Sequence, residues 1–126
     1  MKVFAEKIYS KYAARVEIAV EQSNALLRDG AFLAFLESSK PDGFDFTGDE
    51  LVTGRDVAKK IVESDIESAV RSYTPRWYQF WQRKVLAFVR YGDTVIYLNT
   101  WNLGRSVESL AGTLVHEYMQ IGRAHV

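Results

Sequence analysis

Residues Ser106–Gln120 read SVESLAGTLVHEYMQ. Val107, Leu110, Ala111, Leu114 and Tyr118 recur at steps of three and four, which predicts a helix with one buried stripe. Ser106 stands just before that stripe and suits an N-cap, because its hydroxyl can accept from a free N–H of the first turn. Within the helix, His116 is followed at once by Glu117. Two histidines four residues apart project from one helix face and can share a metal ion, with a Glu between them to carry a proton. Here the first imidazole and the carboxylate are present, but the second imidazole position, 120, holds Gln. The candidate site is therefore His116 as metal ligand, Glu117 as catalytic base, and Gln120 where a second ligand is expected. The bland reading makes His116 a half-buried helix histidine and Glu117 a solvent-facing acid.

The residues that follow bear on the missing imidazole. Gln120–Val126, QIGRAHV, is what CAG ATC GGA AGA GCA CAC GTC encodes: a single C followed by a widely used sequencing-adapter DNA. On this reading residue 120 is a chimeric codon with one genuine base. Both His codons begin with C, as do Leu, Pro, Gln and Arg codons. Residues 121–126 are accordingly expected to be a non-native tail that interrupts the motif, and are set aside for fold reasoning.

The pattern Leu98-Asn99-Thr100, Leu103, Arg105-Ser106-Val107, Ser109, Thr113 and Val115-His116-Glu117 resembles the zincin-like zinc metallopeptidases, most closely the small bacterial and phage-type domains. Phe44-Asp45-Phe46-Thr47, Gly54, Val57-Ala58 and Ile61 are similar to the earlier part of such domains, more weakly. The likeness runs from about residue 30 to residue 119, and its specific part is the last twenty or so. It implies an α+β, zincin-like fold in which His116 binds Zn and Glu117 is the general base. It also implies that an edge strand ahead of the helix pairs with extended peptide substrate, a role that falls on Val95, Tyr97 and Asn99. The family's longer spacing asks for Gly at 123 and His at 126, where this chain has Arg123 and Val126, so His125 is not carried over as a third ligand. With one credible ligand, this chain is expected to bind zinc weakly or not at all and to be inactive, the activity belonging to the complete protein.

Composition narrows the alternatives. The chain has 126 residues, 48% of them hydrophobic and 25% charged, with 16 basic and 16 acidic residues. That suits one globular domain and argues against a general electrostatic drive toward nucleic acid or an anionic membrane. Without cysteine, disulfides and thiolate metal sites are excluded. No signal peptide and no apolar run of membrane-spanning length is visible, so the default expectation is a cytoplasmic protein acting on a peptide or protein substrate.

Along the chain, residues 3–28 place Phe4, Ile8, Tyr12, Val16, Ala19, Val20, Leu26 and Leu27 broadly on one stripe, predicting a long N-terminal helix stopped at Asp29-Gly30. Residues 31–64 read as helical around a turn at Pro41-Asp42-Gly43, with Asp49 or Thr53 capping a helix over 48–64. Residues 65–100 alternate with period two and predict strands: one ending near Thr74-Pro75, then a hairpin of 85–90 and 94–100 about Tyr91-Gly92-Asp93. The small sheet is expected to be antiparallel or mixed, and residues 1–120 to form one domain.

Arg76–Lys84, RWYQFWQRK, interleaves aromatic and basic residues. The favoured reading has its aromatics capping the core and its cations in solvent. The alternative is a peptide- or glycan-binding interaction module through Trp77 and Trp81, with a nucleic-acid contact through Arg76, Arg83 and Lys84 less favoured.

Overall fold

A computed structural model describes residues 2–38, 54–63, 66–90 and 92–124. The predicted turn at 41–43, the stretch Phe44–Thr47 and the capping positions Asp49 and Thr53 lie outside them, as does His125. Among the described residues are four strands, β1 (Val3–Lys7), β2 (Ser68–Tyr73), β3 (Ala87–Val89) and β4 (Ile96–Asn99). Four α-helices accompany them: α1 (Ala13–Leu27), α2 (Gly30–Ser38), α3 (Gly54–Glu63) and α4 (Val107–Ala124). The fold is α+β with a small mixed sheet. Its order is β1-β2-β4-β3, with β1, β2 and β4 parallel and β3 antiparallel to β4.

The chain begins with a strand, not with the helix predicted over residues 3–28. Val3 pairs with Ser68 and Ala5 with Val70, putting β1 on the outer side of β2. Five residues are too few for periodicity to separate a strand from a helical turn, and the stripe Phe4-Ile8-Tyr12 spans the junction by coincidence of spacing. Nor does Gly30 stop the first helix. It opens α2, which Asp29 caps by accepting from the Phe32 N–H at 2.9 Å.

One side of the sheet carries the core. Val3, Val70, Ile96 and Leu98 are buried against Val16, Ala19, Val20 and Leu27 of α1 and Leu110, Leu114, Val115 and Met119 of α4. Helix α4 packs on α1, α3 and β3. It does not end at Met119. Ile121, set aside as tail, is 1% exposed, and Gly122 comes close to Ile61 and Val57 of α3. Burying an Ile side chain contributes roughly 1.5–3 kcal/mol, so residue 121 acts as core in this chain whatever DNA encoded it. The reason is register: Leu114, Tyr118 and Ile121 continue the four- and three-residue steps of the buried stripe.

Candidate functional site

The N-terminus of α4 is built as the sequence suggests. Ser106 Oγ accepts from the Ser109 N–H at 3.1 Å, an N-cap that satisfies one first-turn donor. Arg105 fastens the approach loop to the helix through the Asn102 carbonyl (2.7 Å) and the hydroxyls of Ser109 (3.1 Å) and Thr113 (3.0 Å). Nine residues further on, the helix presents His116, Glu117 and Gln120, all half-buried. The Glu117 carboxyl is pushed up to about 7 by burial, which removes water from its charged form. Next to it Tyr118 is 2% exposed, its hydroxyl donating to the Ile66 carbonyl at 3.0 Å and its own pKa pushed up to about 12 by burial.

A catalytic zinc takes three protein ligands, commonly imidazoles and a carboxylate. His116, Glu117 and Gln120 supply one imidazole, one carboxylate and a neutral amide, and no group of three or more His, Cys, Asp or Glu side chains that could hold a metal ion occurs among the described residues.

The expected substrate strand is corrected by topology. β4 is interior, with Tyr97 registered on Arg71 of β2 on one side and on Phe88 of β3 on the other. Val95, Tyr97 and Asn99 therefore cannot offer a free strand edge. The Tyr97 ring stacks on Phe88, centroids 5.0 Å apart, and the Arg90 guanidinium lies 5.0 Å from its centroid. Val95 donates its N–H to Asp93 Oδ1 in the hairpin turn. Asn99 is wholly buried and structural: its amide N–H groups reach the carbonyls of Gln82 (2.7 Å) and Val85 (2.9 Å), and its Oδ1 accepts from the Trp101 N–H (3.0 Å). The sequence order of the hairpin concealed this, because the strand nearest α4 in the chain is not the outermost in the sheet. Among the described residues the edges are β1 and β3.

Residues 76–84 also differ from expectation. They form a turn and a short 3-10 helix, Phe80–Lys84, and leave Trp77 80% and Trp81 65% exposed instead of capping the core. Asn102 joins this arm to the end of β4 by donating to the carbonyls of Arg83 (3.1 Å) and Val85 (2.8 Å). The result is a groove of about 500 Å³ lined by Trp77, Arg83, Trp101 and Asn102. The sequence reading missed Trp101 and Asn102. Their signal was the pair Asn99 and Asn102, three apart just after a strand, a spacing that lets two side-chain amides bind one neighbouring loop.

No protein-family model, curated protein or solved structure matches the chain. Among the described residues no helix is long and apolar enough to cross a membrane.

Proposed function

We propose that α4 is the first part of the metal-binding helix of a zincin-like metallopeptidase, and that the motif is interrupted at residue 120. What supports this reading is geometric: His116 and Glu117 stand side by side, half-buried, on one long helix capped by Ser106, and the burial of Glu117 bears on its chemistry. A carboxyl titrating near 7 is matched to proton transfer at neutral pH, and desolvation brings it there on the same helix, directly beside His116. Peptide-bond hydrolysis is the reaction this reading assigns to the completed protein, with Zn as its cofactor and a peptide or protein as substrate. On this reading the chain as given binds zinc weakly or not at all and is inactive.

Substrate binding by strand addition moves, on this reading, from β4 to β3. Among the described residues β3 is an edge of the sheet, antiparallel to β4 and paired with no other strand. The opposite edge is less available, because Asn24 of α1 already bonds the backbone at the start of β1.

Two measurements test the proposal. Reading the gene beyond the Met119 codon should give His at 120 and a further His, Glu or Asp at zincin spacing; any other residue at 120 sinks it. Titrating this chain with zinc at neutral pH should show no submicromolar site. Gln120→His should tighten zinc binding by about tenfold or more, and His116→Ala should abolish that gain.

A further inference from the structure

Basic and acidic residues cancel over the whole chain but not locally. Between Ser68 and Val107 stand six cations, Arg71, Arg76, Arg83, Lys84, Arg90 and Arg105, against the single carboxylate of Asp93. The Trp77–Trp101 groove lies within this positive segment, and its volume of about 500 Å³ is that of a small-ligand site. Two of the chain's three tryptophans line it. Trp77 is 80% and Trp101 37% exposed, so flat apolar surface is held open to solvent at a concave place. The polar wall is specific. Asn102 spends its N–H groups on the carbonyls of Arg83 and Val85, which leaves its Oδ1 as an acceptor. The Arg83 guanidinium rests 5.2 Å from the Phe80 centroid and has no carboxylate partner among the described residues.

Flat apolar faces, one acceptor and a forked cation define the ligand by complement. It has a C–H-rich or planar face, hydroxyl donors and an anionic group. We propose that this groove binds an acidic saccharide, a pyranose unit carrying a carboxylate. The ring packs its C–H face on the indoles, a hydroxyl donates to Asn102 Oδ1, and the carboxylate takes the Arg83 fork, the planar pairing for which arginine is suited. A single-stranded nucleic acid fits less well, since it needs a track of cations under successive phosphates. Here only Arg83 of the six cations lines the groove. Arg71 is paired with Glu6 at 2.8 Å, Arg105 is spent on Asn102, Ser109 and Thr113, and Arg90 lies over Tyr97. Of the other three, Arg76 donates to the Tyr78 hydroxyl at 3.1 Å and only Arg83 lines the groove, which matches one anionic group there; a run of phosphates along Arg76, Arg83 and Lys84 is the competing outcome that oligo-dT tests. The proposal does not depend on the peptidase reading.

The test is a titration of the whole chain, at low salt, with trigalacturonate, neutral maltotriose, oligo-dT and hexaglutamate, followed by calorimetry and by the indole N–H resonances. Trigalacturonate should bind and shift the Trp77 and Trp101 signals while leaving that of Trp81, outside the groove, in place. Trp77→Ala and Arg83→Gln should each weaken binding about tenfold or more, with unchanged circular dichroism. The proposal is overturned by the absence of trigalacturonate binding at millimolar concentration, by equal affinity for maltotriose, by tighter binding of oligo-dT or hexaglutamate, or by a shift confined to Trp81.

Discussion

Asn24, on α1, closes a two-way amide bridge on Val3 of β1: its Oδ1 accepts from the Val3 N–H at 2.8 Å and its Nδ2 donates to the Val3 carbonyl at 2.9 Å. The same Oδ1 also accepts from the Lys2 N–H at 2.9 Å. A side chain thereby supplies the bonds that a further strand would otherwise give the start of the outermost parallel strand, and blunts that edge. Asn24→Leu keeps the branching and the number of side-chain heavy atoms and removes the bonds, leaving buried backbone groups of Val3 without partners. Such groups cost about 1–3 kcal/mol each, so a loss of roughly 2–4 kcal/mol is expected. Urea unfolding monitored by circular dichroism measures it, and a loss below 1 kcal/mol contradicts the assigned role.

That bridge also shows what the sequence could and could not reveal. β2 and the hairpin were legible because their alternation was bounded by Pro75 and by Gly92-Asp93, where Gly92 takes φ 79. α4 was legible because its apolar steps persist over several turns. β1 was not, because its strand character depends on partners more than sixty residues away in β2 and on Asn24, which a local window cannot see. The same holds for the site. His116 and Glu117 were visible as types at a spacing, whereas the interior position of β4 is a property of strand order. The groove between Trp77 and Trp101 needed two loops brought together by the buried Asn99 and the half-buried Asn102. Asn99 was expected at the substrate, and its hydrogen bonds are internal.

The pKa of Glu117 predicts a pH dependence of stability with a definite sign. Burial pushes its carboxyl up to about 7 in the folded chain from an ordinary value of 4.5, so the folded state holds the proton more tightly. Stability is fully present below about pH 4.5 and is lost as pH rises through about 7. The side chain is only half-buried and solvent moderates the penalty, so the loss is expected to be roughly 1–2 kcal/mol instead of the full value of the shift. Glu117→Gln should remove this component and be more stable than the parent chain at pH 8, with little difference at pH 4.5. Denaturant midpoints at the two pH values decide it; equal pH profiles for the two proteins count against a desolvated Glu117.

Tyr118 separates packing from hydrogen bonding on the same helix. Its ring is buried and its hydroxyl reaches the Ile66 carbonyl just ahead of β2. Tyr118→Phe retains the ring and loses that bond, which should cost about 1–2 kcal/mol. Tyr118→Ala also opens a cavity beside Leu114 and Ile121 and should cost about 3–5 kcal/mol. Thermal melts of the two variants should differ clearly, and equal effects would mean that the hydroxyl, not the ring, anchors this part of α4.

Asn99 discriminates between a substrate contact and a structural clamp. As a substrate residue it could be shortened with little effect on the unbound protein. As a clamp it cannot, because Asn99→Ala removes donors from the Gln82 and Val85 carbonyls and an acceptor from the Trp101 N–H at a fully buried position. Val85 keeps one bond from Asn102, so the expected cost is about 2–3 kcal/mol instead of the sum of three lost bonds. The loss should also be local. Hydrogen exchange should accelerate most in residues 80–86 and at Trp101, since these are the segments that Asn99 ties to β4. Protection in α1 and β1, at the other side of the sheet, should fall only by the amount of the global destabilisation. If Asn99→Ala leaves the melting temperature and the exchange of the 80–86 arm unchanged, the side chain is not holding the loops that form the groove.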